Sequence, residues 1–111
     1  MIYRVLCNSV TIAPQQPDQP EVVLQDGQFM GAHMAGVLGF DMKLPHITNP
    51  RARFYFTETG WEKVGKAVVA NAQREGRVVK VIRRKNPAAS QIVYQDALQM
   101  AIIPLKQKQK R

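Results

Sequence analysis

The pattern of apolar and polar residues predicts a strand in two stretches of the second half of the chain. In residues 53–57, every second side chain would share a face, so that Phe54 and Phe56 lie together and the other three residues point the opposite way. Residues 77–84 form the other stretch, which is apolar on both faces at its centre. Such a centre predicts a strand inside a sheet rather than at its edge.

Between these two strands the apolar residues have helical spacing. They recur at i, i+3, i+4, i+7 and i+11, at Trp61, Val64, Gly65, Val68 and Ala72. Thr59 and Glu62 are spaced as a capping box that would begin the helix, and Gly76 would supply the left-handed residue that ends it. The pattern predicts one major helix over about residues 60–75, packed on one face of a sheet.

The rest of the chain adds strands and loops around this unit. Residues 2–10 are rich in β-branched and aromatic side chains and predict a first strand. Three prolines within residues 13–20 exclude a helix and favour an extended loop, after which residues 21–25 could form a short strand. Residues 91–94 and 97–103 predict a final strand or a bent pair. The order of elements predicts an α+β fold with a small mixed or antiparallel sheet and an irregular, Pro/Gly-rich first half.

Residues 27–42 contain four glycines and three methionines and allow two interpretations. In the first, they form an irregular core segment in which glycines permit close backbone approach and methionines fill gaps. An approximate helical stripe then runs through Phe29, Ala32, His33, Gly36 and Phe40. In the second, they offer an adaptable apolar surface to a protein partner. The partner-binding residues would then be Phe29, Met30, Met34 and Phe40.

Length and composition are those of one globular domain. The 111 residues predict a compact domain over residues 1–105 followed by a flexible basic tail at 106–111. No apolar run reaches the roughly 18 residues that a membrane span requires. Cys7 is the one cysteine, which excludes a disulfide within the chain and fits a reducing, cytoplasmic location.

The charge is distributed unevenly along the chain. Residues 1–50 hold two basic and four acidic side chains, a net charge of −2, whereas residues 51–111 hold fourteen basic and four acidic, a net charge of +10. This asymmetry predicts an anionic partner such as a nucleic acid, whose phosphates lysine and arginine neutralise. The candidate contact residues are Arg51, Arg53, Tyr55, Lys63, Lys66, Arg74, Arg77, Lys80, Arg83, Arg84 and Lys85. These groups could converge, since Arg51, Arg53 and Tyr55 are predicted to share one strand face. An exposed Tyr55 would be available to stack on a base.

Motifs that would carry catalysis are missing from the sequence. It has no phosphate-binding loop, dinucleotide-binding fingerprint or nucleophile elbow. His33, His46 and Cys7 do not have the spacing of a metal site. We therefore expect neither metal nor cofactor.

Two families resemble parts of the chain. Residues 51–56 resemble the aromatic RNP1 strand of RNA-recognition motifs, and residues 2–6 stand in the place of RNP2, although residues 13–50 lack the first helix and a C-terminal strand is left over. The order of strands and helix also looks like that of ADP-ribosyltransferase-like domains. In that family a late glutamate does the chemistry, whereas residues 94–99 of this chain contain none.

Three hypotheses follow. The leading one is a small non-catalytic module that binds nucleic acid or another polyanion through its C-terminal half. The alternative is a protein–protein adaptor or inhibitor, able to form a homo-oligomer, that uses residues 27–42 and a basic face. The third, implied by resemblance alone, is an ADP-ribosyltransferase-like domain that binds NAD in a manner dependent on Arg4.

Overall fold

The computed structural model describes residues 1–7 and 27–104. The predictions for residues 13–25 and for the tail at 106–111 lie outside this part of the chain. Within it, a five-stranded antiparallel sheet is combined with two helices, which confirms an α+β fold and makes the sheet antiparallel rather than mixed.

The strands are β1 (Ile2–Cys7), β2 (Arg53–Phe56), β3 (Val79–Arg84), β4 (Ile92–Gln95) and β5 (Gln99–Ile102). In space the order of these described strands is β3-β1-β2-β5-β4, so β3 lies at an edge of the sheet that they form. The prediction that this strand lies inside the sheet is therefore wrong. Its centre is apolar on both faces because Val79 and Val81 pack against the core on the helix side, while the neighbouring Ile82 is half-buried on the other face.

Strands β4 and β5 form a hairpin, which confirms the bent pair. Asp96 holds the turn, since its Oδ1 accepts from the backbone N–H groups of Leu98 at 2.8 Å and Gln99 at 3.0 Å. The Tyr94 hydroxyl donates to Asp96 Oδ2 at 2.7 Å. Burial opposes the charge on Asp96, but these hydrogen bonds outweigh it and hold the pKa of the carboxyl below its ordinary value. The same contact with Asp96 raises the pKa of Tyr94.

The first helical region follows the Gly27 turn. Phe29–His33 is an irregular turn, because Met30 and Gly31 have non-helical backbone angles, and it leads into a short helix, α1 (Met34–Val37). Met30 and Ala35 are buried in the core, whereas Gly36 is exposed. The expected stripe through Gly36 is therefore wrong, and the interpretation of this segment as irregular core is the one that the structure supports.

The second helix, α2, runs without a break through Glu58–Gly60, a widened π-type turn at Trp61–Gly65, and Lys66–Arg74. Its N-cap is Thr57, whose Oγ1 accepts from the Gly60 N–H at 3.0 Å. The capping box predicted at Thr59 and Glu62 is therefore wrong. Thr57 is extended, with ψ at 172°, as an N-cap requires, whereas Thr59 is already inside the first turn.

The opposite end and the apolar stripe of α2 are as predicted. All five stripe residues are buried or packed at the sheet. At the C-terminus, Gly76 has φ +79° and donates to the Gln73 carbonyl, while the Arg77 N–H donates to the Ala72 carbonyl. This is the Schellman arrangement, which satisfies the last carbonyls of a helix.

Both helices pack on the same face of the sheet, here called the helix-side face. Met30 and Ala35 join Trp61 and the rest of the α2 stripe against Val5 and Phe56. The Tyr3 ring stacks on Trp61 with centroids 4.9 Å apart. The other side of the sheet, here called the outer face, carries a second, smaller cluster formed by Ile2, Tyr55, Met100 and Ile102.

Candidate functional site

The outer face of the sheet collects basic side chains from three neighbouring strands. Lys80 and Arg84 of β3 pair in register with Leu6 and Ile2 of β1, and Ile2 belongs to the apolar cluster of the outer face. Because side chains alternate between faces and paired residues share one, four basic residues lie on this face. We call this set the outer-face cluster of charges: Arg4, Arg53, Lys80 and Arg84.

The size of this charged surface follows from strand geometry. Adjacent strands lie about 4.8 Å apart and residues rise about 3.3 Å along a strand, so the cluster covers roughly 10 Å across β3, β1 and β2 and roughly 13 Å from Lys80 to Arg84. Lys80 is exposed and the three arginines are half-buried. Leu6 and Ile82 stand between the charges, opposite Lys80 and Arg4 respectively. None of the strand residues placed on this face is acidic.

Tyr55 lies beneath this surface rather than on it. Only 7% of the residue is exposed, so the prediction of an exposed tyrosine that stacks on a base is wrong. The reason is that the outer face has its own apolar cluster, which Tyr55 forms with Ile2, Met100 and Ile102. The guanidinium of Arg84 lies over the Tyr55 ring, with its Cζ 5.8 Å from the centroid. Tyr55 therefore supports Arg84 through a cation–π contact.

The basic residues of α2 lie on the other side of the molecule. The helix packs on the sheet through its apolar stripe, so Lys63, Lys66 and Arg74 point away from the outer face and are exposed. Residues 58–75 contain three basic and three acidic side chains, and Lys66 Nζ pairs with Glu62 Oε2 at 2.7 Å. The predicted convergence of all basic groups is therefore wrong, because the sheet separates them.

The remaining candidates are distributed around the edges. Arg51 precedes β2 and donates from Nη2 to the Pro104 carbonyl at 2.6 Å, so it does not share the strand face with Arg53 as predicted. Arg77 Nε pairs with Glu75 at 3.0 Å, a contact that raises the pKa of the arginine. Arg83, which pairs in register with Tyr3, is on the helix-side face, and Lys85 follows the strand; both are exposed.

Arg4 is the member of the cluster that the sequence prediction missed. It stands in the acidic first half of the chain, where charge counting finds no basic patch. Its position depends on β1 pairing between β2 and β3, which no local pattern reveals. One local signal was present, since Arg4 alternates with the apolar Ile2 and Leu6 and must therefore share their face.

The residues proposed for a protein partner are drawn into the core. Met30 is 5% exposed, so in this structure it lies in the core and not on a free surface. Phe29, Met34 and Phe40 are half-buried and pack against the same core cluster. Part of their apolar surface is therefore buried against the core that contains Trp61.

The described residues contain neither a group of metal-ligating side chains nor a helix that could span a membrane. Within residues 1–7 and 27–104, no three His, Cys, Asp or Glu side chains are grouped as metal ligands. In the same part of the chain, neither helix is long and apolar enough to cross a bilayer. Asp96, in the stretch where the ADP-ribosyltransferase resemblance would need a glutamate, lies in the β4–β5 turn and is occupied by its hydrogen bonds.

Comparison with known proteins gives no family, since no family model, curated protein or solved structure matches the chain. Neither of the two resemblances is thus supported by a match. The strands that resemble RNP2 and RNP1 are neighbours in the sheet, but Tyr3 stacks on Trp61 and Tyr55 is buried, so neither tyrosine presents a stacking surface. The class that the fold defines is a small α+β domain.

Proposed function

We propose that this protein is a non-catalytic module that binds nucleic acid through the outer face of its sheet. The contact residues are the outer-face cluster of charges, Arg4, Arg53, Lys80 and Arg84, with Lys85, just after β3, available to the flanking backbone. Phosphates would be the groups recognised, because arginine and lysine side chains neutralise them without regard to base sequence.

One observation carries the proposal: the stretch of chain that contains β3 is basic and has no acidic residue of its own. Residues 77–85 contain five basic side chains and no acidic one, whereas residues 58–75 contain equal numbers of both. Two members of the cluster, Lys80 and Arg84, belong to the unbalanced stretch. At Lys80 and Arg84, a nucleic acid on the outer face would therefore meet charge that no described carboxylate pairs with.

The arrangement also holds the charges in place. Arg84 rests on the Tyr55 ring, and Arg4 and Arg53 are half-buried, so their stems pack along the sheet. Side chains that are already ordered lose less conformational entropy on binding than fully exposed ones. A rigid sheet carrying partly ordered arginines is thus better prepared to bind phosphates than a solvated helix face.

The test is a fluorescence-anisotropy titration of single-stranded DNA, the same sequence as RNA, and duplex DNA, at about 50 mM and about 200 mM salt. The outer-face variant combines Arg53→Gln, Lys80→Gln and Arg84→Gln. The matched control combines Lys63→Gln, Lys66→Gln and Arg74→Gln on α2, which removes the same charge from the opposite side. Thermal unfolding of both variants shows whether they keep the fold.

The outer-face variant should bind at least about tenfold more weakly at low salt, with a log–log salt slope reduced by about 2, since each phosphate contact contributes roughly 0.7–0.9 to that slope. The control should lose less than about threefold, because a distant charge acts only through the screened field of the protein. An equal loss in both variants would show that net charge alone is responsible. Absence of salt-dependent binding to all three nucleic acids would refute the proposal.

A further inference from the structure

The two edges of the sheet differ in how well they are protected against another strand. At one edge, β4 has four residues, and its register with β5 shifts between Ile92 and Tyr94. At the other, all six residues of β3 pair with β1 without a shift, and within the described residues no further strand pairs with it. Bulges and shortness are devices that blunt an edge, and β3 has neither; the device it does have is the positive charge of Lys80, Arg83 and Arg84, which deters only strands of like charge.

The side chains of β3 define what an added strand would have to carry. Lys80, Ile82 and Arg84 lie on the outer face, and Val79, Val81 and Arg83 lie on the helix-side face. Val78, immediately before the strand, is 68% exposed. Since residues in neighbouring strands face each other directly, a complementary strand needs acidic side chains opposite the three basic residues and apolar side chains opposite the three aliphatic ones.

A second copy of this chain does not meet that requirement. If two β3 strands paired antiparallel about the middle of the strand, Lys80 would stand opposite Arg83, and a shift of one residue would place it opposite Arg84. Like charges directly opposite each other destabilise a sheet. In these two registers, though not in the one that places Lys80 opposite Ile82, the charge of β3 opposes pairing with itself.

We propose that β3 binds an extended, acidic and apolar segment of a partner protein as a sixth strand of the sheet. The order of residues in β3 gives the segment's pattern: read antiparallel, it is acidic, acidic, apolar, apolar, acidic, apolar. Backbone hydrogen bonds to the edge supply affinity, and the charge pattern supplies direction and register. This inference does not depend on nucleic-acid binding, because it uses the backbone of the edge rather than the charges of the outer face alone.

The experiment uses the whole protein and a labelled peptide, Glu-Glu-Ile-Val-Glu-Val flanked by Gly-Ser, in the absence of nucleic acid. Two further peptides have the same side chains, with N-methyl groups on the odd or on the even residues of the motif. In an added strand, alternate N–H groups point toward the edge and the others point away. One methylation pattern therefore removes the hydrogen bonds to β3, and the other leaves them intact.

We expect one N-methylated peptide to bind at least about tenfold more weakly than the parent, and the other to differ by less than about threefold, because only one set of amides is lost. Equal binding of both methylated peptides would overturn the proposal, since charge attraction alone would then explain the affinity. Failure of the parent peptide to bind would also overturn it. Either result leaves the nucleic-acid titration unaffected, so the two proposals can fail separately.

The register can be tested with a charge exchange. Lys80→Glu should weaken binding of the parent peptide. In that peptide the fifth residue is the glutamate expected opposite position 80, and replacing it with lysine should recover the lost affinity. The same lysine at the first glutamate, expected opposite Arg84, should not restore binding. Recovery at both positions, or at neither, would contradict the proposed pairing.

Discussion

Replacing Thr57 by alanine tests how α2 is joined to the sheet. Thr57 Oγ1 accepts from the Gly60 N–H at 3.0 Å and donates to the Ala97 carbonyl at 2.7 Å. The first contact caps the helix, and the second ties the same residue to the β4–β5 turn. Loss of an N-cap costs about 1 kcal/mol, and loss of a further hydrogen bond about 0.5–1.5 kcal/mol. Thr57→Ala should therefore lower the free energy of unfolding by about 2 kcal/mol.

The assay is urea unfolding followed by tryptophan fluorescence. Trp61 is the single tryptophan and is 9% exposed, so its emission reports on the helix and its packing. A loss of about 2 kcal/mol corresponds to a fall in Tm of about 8 °C for a domain of this size. Thr57→Ser should keep most of the stability, because a serine hydroxyl can make both contacts.

Thr59→Ala is the matched control, and it distinguishes the structure from the sequence pattern. Thr59 is exposed within the first turn of α2, so its replacement should change stability by less than about 0.5 kcal/mol. If Thr59→Ala were the more damaging variant, the helix would begin at the capping box that the sequence suggests. The assignment of Thr57 as the cap would then be refuted.

Further variants test the β4–β5 turn and two glycines of the helices. Because folding lowers the pKa of Asp96, the carboxylate stabilises the fold above its unfolded pKa, and this contribution is lost as the pH falls through its folded pKa. Asp96→Asn should therefore flatten the acid limb of a pH–stability profile, and an unchanged limb would contradict this. The pKa of Tyr94 is raised, so its contribution is lost as the pH rises through the folded value, and Tyr94→Phe should flatten the alkaline limb. Gly60→Ala should destabilise by about 1–3 kcal/mol in urea unfolding, because its Cβ would overlap the Leu98 carbonyl oxygen, whereas Gly36→Ala meets no atom and should not destabilise.

The sequence predicted α2 well because the information that specifies it is local. Trp61, Val68 and the other stripe residues repeat at helical spacing, and Gly76 marks the end, so neither feature depends on which strands are neighbours. The alternation of β2 was equally local, and Phe54 and Phe56 do lie on the helix-side face. Patterns of this kind follow from the period of one element alone.

The failures share the opposite property, since each depended on a partner distant in sequence. Thr57 is preferred as the cap because its hydroxyl also reaches Ala97, forty residues away. Tyr55 is buried because Ile2, Met100 and Ile102 meet it from other strands. The edge position of β3 and the inclusion of Arg4 both follow from strand order, which local patterns do not contain.

The positions of the acidic residues indicate which of the basic residues can serve a polyanion. On α2, a phosphate that approached Lys66 would first have to compete with Glu62, which already lies 2.7 Å away. Such an exposed ion pair contributes little to the free energy of folding. It does lower the free energy gained when a phosphate binds Lys66, because the phosphate only replaces the carboxylate of Glu62. Among the described residues, no carboxylate forms an ion pair with Lys80 or Arg84 on the outer face, so a phosphate bound there displaces salt ions rather than a carboxylate. The same number of charges should therefore give strong, salt-dependent binding on one side of the sheet and weak binding on the other.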